Sequence, residues 1–194
     1  MGRLKGVKTK SDYLEWNTLL ILIHKLERDG ENKFALLIAI GAYTGLRIGD
    51  ILSLKWFDIL EKDFLEINEQ KTKKYRKLKL NENLKEIISR SFSKLHSPGV
   101  GKYVFINRFD TKPISREYVN RRLKEIFKNY NIKIGNVSSH TLRKSFGRRV
   151  FENNDNSEKS LIILGEMFNH ASISTTKIYL GIREKEIFDV YDGL

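Results

Sequence analysis

The sequence predicts an α+β domain that is mainly α-helical and carries one small antiparallel β-hairpin on its edge. Three observations lead there. Apolar residues recur at helical spacing through most of the 194 residues. One stretch, 64–80, alternates with period two instead. Aliphatic and aromatic residues make up 40% of the chain, enough to bury a real core in a single domain of this length.

Residues 1–10 read as a basic arm or linker remnant, and residues 11–194 as one domain. Ser11 and Asp12 are placed to cap a first helix, with Glu15 completing a capping box. Leu14, Leu19, Leu22, Ile23 and Leu26 carry its apolar face to about Arg28, where Asp29-Gly30 breaks it. A second helix, about 32–43, is apolar nearly all round and is expected to be buried. Thr44-Gly45 ends it, and a short third helix starts near Arg47 and runs through Ile51 and Leu54. Phe64, Glu66 and Asn68 then alternate with Leu65 and Ile67, and 75–80 forms the return strand. Residues 68–74 connect the two. Basic side chains alternate with Leu78 and Leu80, so one strand face is cationic. A helix at 84–95, a Ser97-Pro98-Gly99 loop and a short apolar strand at 103–106 follow. Pro113-Ile114-Ser115 introduces a helix at about 116–129. Ser138 or Ser139 caps the helix that carries His140 and Arg143. After a polar loop at 152–157, helices at 161–168, 174–180 and 184–190 complete the chain.

The net charge is +12, from 36 Lys and Arg against 24 Asp and Glu. A polyanion partner is expected, nucleic acid ahead of an anionic membrane surface. A scattered basic surface would mean only solubility, but these charges cluster. Lys71, Lys73, Lys74, Arg76, Lys77 and Lys79 form one group. Arg116, Arg121, Arg122, Lys124, Lys128 and Lys133 form a second, and Arg143, Lys144, Arg148 and Arg149 a third. No run of about 18 apolar residues occurs, so no membrane span is expected. The basic N-terminus lacks the apolar region of a secretory signal, which makes a cytoplasmic location the default. There is no Cys, hence no disulfide or thiolate metal site. No paired-carboxylate or His-x-x-x-His spacing points to metal hydrolysis, and no cofactor is expected.

His140 and Arg143 are one helical turn apart and share a face. Arg47 follows Gly45 at a helix start, where backbone N–H groups favour an anion. The planar guanidinium fork matches two phosphate oxygens and stays charged. Each arginine taken singly is as well explained by a surface charge or a salt bridge, such as Arg47 with Asp50. Lys71 lies in the hairpin connection on a flexible stem that can reach a leaving oxygen as a general acid, although Lys73 and Lys74 share that chemistry. His170 alone reads as a helix-terminal or core histidine. Tyr179 alone, one of eight tyrosines, reads as an amphipathic core residue.

In order along the chain stand Thr44-Gly45-Leu46-Arg47-Ile48-Gly49-Asp50, the basic hairpin, His140-Thr141-Leu142-Arg143, Asn169-His170 and Thr175-Thr176-Lys177-Ile178-Tyr179. Together they resemble the tyrosine recombinase (phage integrase) family across its whole catalytic domain, about Ser11 to the C-terminus. The resemblance implies that Arg47, Arg143 and His170 hold the scissile phosphate. It implies that His140 supports the phosphate or shuttles a proton, that Lys71 is the general acid, and that Tyr179 is the nucleophile. Asp50 would orient the site without acting in it. The chain departs from the family pattern at Lys144, where His is common, at Phe168-Asn169 in place of Leu-Gly, and at Lys79 in place of a hairpin Pro. The family's N-terminal DNA-clamping domain has no room before Ser11, so weak DNA affinity is expected.

The implied reaction is metal-free cleavage and rejoining of double-stranded DNA through a 3′-phosphotyrosyl bond, and hence site-specific recombination or integration. The family implies a homo-tetramer on DNA, a monomer when free, and a tail at 183–194 that docks on a neighbouring protomer. Two alternatives stand beside it: relaxation of DNA in the manner of a type IB topoisomerase, and a DNA-binding module without catalysis. The complete set of six residues argues against the second.

Overall fold

The computed structural model describes residues 11–182, 188 and 190–194. Its elements run α1 (Trp16–Arg28), α2 (Asn32–Thr44), α3 (Ile48–Ser53), α4 (Trp56–Ile59), β1 (Phe64–Asn68) and β2 (Tyr75–Lys79), then α5 (Glu82–Lys94), α6 (Arg116–Asn129), α7 (Ser139–Glu152), α8 (Glu158–Phe168) and α9 (Ile173–Leu180). The fold is α+β and mainly helical, with β1 and β2 paired antiparallel.

The apolar character of α2 sets its place. From Phe34 to Ala42 it is buried all round, and it packs on α1, α5 and α7. The crossing with α7 is close. A Cβ on Gly41 would stand 2.8 Å from Leu142 Cδ1, so only glycine lets the two helices meet there. Gly45 ends α2 at φ 62°, a left-handed turn that sends the chain toward Arg47. Side-chain caps start the later helices. Asn81, Ser115, Ser138, Ser157 and Ser172 each accept a bond from a first-turn amide of α5, α6, α7, α8 and α9 in turn.

Two apolar clusters result. The larger joins α1 to α6 and includes Leu142 of α7. The smaller comprises Phe146, Phe151, Leu161, Leu164, Phe168, Leu180 and Ile182. Helix α7 feeds both, Leu142 into one and Phe146 and Phe151 into the other.

Several expectations are corrected. Helix α1 begins at Trp16, and neither Ser11 nor Asp12 caps it. Their polar atoms instead tie the N-terminal segment to the approach of α7. Ser11 Oγ meets Ser138 Oγ at 2.5 Å, and Asp12 exchanges backbone and carboxylate bonds with Asn136 at 3.0 and 3.1 Å. The apolar run 103–106 is not a strand. Tyr103 and Ile106 form single bridges to Lys55 and Pro113, while Val104 N–H donates to the Leu54 carbonyl at 2.9 Å and the Phe105 carbonyl accepts from Ile114 N–H at 2.8 Å. Helix α4 was not foreseen; it is short and held by Lys55 N–H donating to Asp58 Oδ2 at 2.7 Å. On β2 the exposed face carries Lys77 and Lys79, but Arg76 falls on the Leu78 face. Residues 183–187 and 189, most of the helix expected at 184–190 and half of the expected docking tail, lie outside the described residues. No helix among the described residues is long and apolar enough to cross a membrane.

Candidate active site

The six candidate residues come from four separated stretches; the fold gathers Arg47, Arg143, His170 and Tyr179 around Phe168 at the C-terminal end of α8, and Lys71 and His140 line a cavity that Arg47 also lines. Arg47 sits extended between α2 and α3. It donates through Nη1 to Glu69 Oε2 at 2.7 Å and through Nη2 to the Phe168 carbonyl at 3.1 Å. Arg143, 3% exposed on α7, donates to the Gly45 carbonyl and also to the Phe168 carbonyl, the latter at 3.1 Å. Its guanidinium lies 4.1 Å from the centroid of the Phe168 ring. Burial pulls the Arg143 pKa down to about 10, and it stays charged at neutral pH.

The C-cap of α8 is Asn169, in the left-handed conformation at φ 54°, which turns the chain so that His170 faces α9. Its Nδ1 lies 3.0 Å from Thr176 Oγ1. The His170 and Tyr179 rings meet edge to face at 5.3 Å, and Phe168 packs edge to face on Tyr179 at 5.5 Å. The Tyr179 hydroxyl is buried and closes no hydrogen bond of normal geometry among the described residues. Burial pushes its pKa up to about 12, against the opposing pull of Arg143 and Arg47. Lys144, where the family commonly has His, is buried with Nζ 5.6 Å from the Tyr179 ring centroid.

His140, in the first turn of α7, lines an open cavity of about 480 Å³ together with Arg47, Lys71, Gln70 and Arg116. Desolvation lowers its pKa first, and Arg143, Arg116, Arg47 and Lys144 add to the shift. The His170 pKa is lowered by burial and by Arg143 and Arg47. Both imidazoles are therefore neutral at pH 7. The site thus has two lobes. Arg143, His170 and Tyr179 surround Phe168 in the buried one; Lys71 and His140 line the open one. Arg47 reaches both. Of the other hairpin lysines, Lys74 is engaged by Asn169 Oδ1 at 2.6 Å, and Lys73 holds a left-handed turn position at φ 58°.

The simple Arg47–Asp50 pair does not form. Asp50 is buried, and burial raises its pKa. It accepts instead from Gln70 N–H at 2.8 Å, pinning the hairpin. Arg47 pairs with Glu69, which is 1% exposed and also takes Arg76 at 2.8 Å and Thr72 at 2.6 Å. Burial would raise the Glu69 pKa, but Thr72, Arg76 and Arg47 outweigh it and hold the carboxyl at about 2. Sequence reasoning passed over Glu69. The signal was present: it is the only acid between Ile67 and Asn81, in the most basic stretch of the chain. Among the described residues, no group of three His, Asp or Glu side chains is arranged to hold a metal ion.

A profile of the phage integrase family matches residues 13–186. The chain belongs to the phage integrase family. This integrase-family chain is 34% identical over 176 residues to the probable integrase/recombinase YoeC of Bacillus subtilis, covering 89% of the chain and 90% of that protein. It is 30% identical over 198 residues to a tyrosine recombinase of Thermosipho africanus, covering all of the chain and 66% of the relative. It spans 49% of the length of the tyrosine recombinase XerD of Halalkalibacterium halodurans. Among solved structures it matches XerA recombinase with a TM-score of 0.72 at 21% identity, over 96% of the chain and 66% of that one. It matches XerH bound to its difH substrate, a pre-cleavage complex, with a TM-score of 0.67 at 21% identity, over 92% and 54%. At such identities the structural likeness establishes the fold.

Proposed function

We propose that the chain is the catalytic domain of a tyrosine-type site-specific DNA recombinase. The observation that supports this most directly is the shared carbonyl of Phe168, which brings Arg47 and Arg143 to one point beside His170 and the Tyr179 ring.

In the proposed reaction a scissile phosphate enters between the two guanidiniums. Tyr179 Oη forms a bond to phosphorus, the P–O5′ bond breaks, and the 3′ end stays on the protein. His140 supports the phosphate or takes up the phenol's proton, and Lys71 protonates the departing 5′ oxygen. The contact between His170 Nδ1 and Thr176 Oγ1 orients the ring so that Nε2 is the nitrogen left for a non-bridging oxygen. Arg47, Arg143 and His170 together offset the charge that grows on phosphorus in the transition state; each such donor is worth on the order of 100–1000-fold. Attack by a 5′ hydroxyl of another strand reverses the chemistry and completes the exchange, so the energy of the phosphodiester is kept without ATP.

Double-stranded DNA is the proposed partner, supported by the +12 charge and by XerH in complex with difH. A tetramer on DNA and a monomer when free complete the proposal, the exchange of two duplexes requiring four active sites. The test is covalent trapping. A pool of nicked duplexes that cannot be rejoined is incubated with the chain without metal, then run on a denaturing gel. A protein–DNA band that Tyr179→Phe abolishes is expected. A chain that binds the pool but never links to it, even with a clamp domain from a longer relative attached, overturns the proposal.

A further inference from the structure

The hairpin tip is fixed from two sides, with Lys71 between the anchors. On one side Gln70 N–H donates to Asp50 Oδ1 of α3 at 2.8 Å. On the other Thr72 Oγ1 donates to Glu69 Oε2 at 2.6 Å. That same carboxylate oxygen takes Arg47 Nη1 at 2.7 Å, and Oε1 takes Arg76 Nη1 at 2.8 Å. The backbone of Glu69 also closes the tip, accepting from Lys73 N–H at 2.8 Å and donating to the Lys74 carbonyl at 2.9 Å. A single carboxylate, 1% exposed, therefore joins the arginine that reaches the phosphate lobe to the turn that carries the general acid.

We propose that Glu69 is a positioning residue that holds Lys71 and Arg47 as one unit, so that the leaving oxygen and the phosphorus are addressed in fixed register. This rests on the recombinase reading and adds to it. Glu69 touches neither DNA nor the reacting atoms; it acts through the two groups it orients. Both of its oxygens are committed, three donors to two atoms, and only a carboxylate satisfies them all. An amide at this position keeps one acceptor oxygen and turns an NH₂ toward a guanidinium or the Thr72 hydroxyl, which breaks one side of the junction.

The test uses two variants, Glu69→Gln and Thr72→Val; the second leaves Arg47 with its partner and loosens only the hairpin side. The substrate is the duplex selected by trapping, made once with the ordinary 5′ oxygen and once with sulfur in its place. A thiolate leaves without a proton, so the sulfur duplex no longer needs Lys71. Misplacement on the scale of an ångström costs about 100-fold. On the oxygen duplex Glu69→Gln is accordingly expected to slow cleavage about 10–100-fold and Thr72→Val about 3–10-fold, with DNA binding within about threefold of the parent. On the sulfur duplex Thr72→Val returns to the parent rate, and the Glu69→Gln loss shrinks by about tenfold. Equal losses on both duplexes, or no loss on either, overturn the proposal; a residue that merely supports the fold would not distinguish the leaving atoms. Limited trypsin digestion reads the junction without DNA. Nicking after Lys71, Lys73 or Lys74 should accelerate several-fold in both variants while cleavage elsewhere keeps its rate, and unchanged nicking overturns the coupling. A parent that never links to DNA while both variants open the tip sinks the recombinase reading and leaves the junction established.

Discussion

Arg47 and Arg143 donate to the same atom, the carbonyl oxygen of Phe168, each at 3.1 Å. One lies between α2 and α3 and the other on α7, so a single acceptor fixes the distance between two cations that would otherwise repel. The acceptor is a backbone group at a helix C-terminus, where partial negative charge accumulates. Arg143→Lys keeps the charge but cannot hold Gly45 and Phe168 in a planar fork. Covalent linkage to nicked DNA should fall about 100–1000-fold, with DNA binding reduced only a few-fold.

Removing the Tyr179 hydroxyl should not weaken the fold. The Tyr179 hydroxyl is buried without a hydrogen bond of normal geometry, so the folded state already bears its desolvation. Tyr179→Phe is expected to leave thermal stability unchanged or raise it by about 1 kcal/mol, while abolishing linkage. Calorimetry beside the trapping gel checks both. A clear drop in stability would mean that the hydroxyl has a partner.

Acid should find Glu69. Its folded pKa of about 2 lies below the ordinary 4.5, so the charged form favours the fold. The contribution is fully present above about pH 4.5 and is lost as pH falls toward 2. Its size is about 3 kcal/mol by linkage. Chemical denaturation of the parent and Glu69→Gln should differ most above pH 5 and converge near pH 2. A constant gap across that range would mean the carboxyl is not held as described.

The acid limb of the cleavage rate should lie below pH 6.5. Where His140 takes the phenol's proton, as proposed, it does so only when neutral, and its pKa is lowered by desolvation and by Arg143, Arg116, Arg47 and Lys144. As pH falls through that lowered value the acceptor is lost and kcat/KM, which reports the free chain, declines. Replacing Arg116 with Met removes one of the depressing charges and should move the limb to higher pH.

Thr176 is fully buried and lies 3.0 Å from His170 Nδ1. Thr176→Val keeps the volume and removes the hydroxyl that contacts the ring nitrogen. Cleavage is expected to fall about tenfold with the fold intact. Adding His170→Asn to Thr176→Val should then cost no more than His170→Asn alone, which a double-mutant cycle measures.

Most of the helices were legible because their apolar spacing and caps are local signals: α6 begins and ends where Ser115 and the periodicity place it. The hairpin was legible for the same reason. The start of α1 was not, because Ser11 and Asp12 spend their capping groups on Ser138 and Asn136, more than a hundred residues away. Helix α4 is too short to have a period, and the 103–106 run is buried without a ladder. At the site, the order of motifs is what pointed to the arginines, histidines and tyrosine as candidates, and partners cannot be read from order. Arg47 chose Glu69 over the nearer Asp50 because Asp50 turns to the Gln70 amide. Such choices are made across the fold, between segments that are far apart in the chain.

The two apolar clusters have a consequence for motion. Leu46 and Ile48, which flank Arg47, belong to the larger cluster, whereas Tyr179 packs against the smaller one. Helix α7 is the strut between them. A segment with a small apolar anchor opens at lower free energy than the body it leans on. Amide exchange in α9 should therefore run ahead of exchange in α2. The contacts of Arg47 and Arg143 with the Phe168 carbonyl latch the smaller cluster to the larger one.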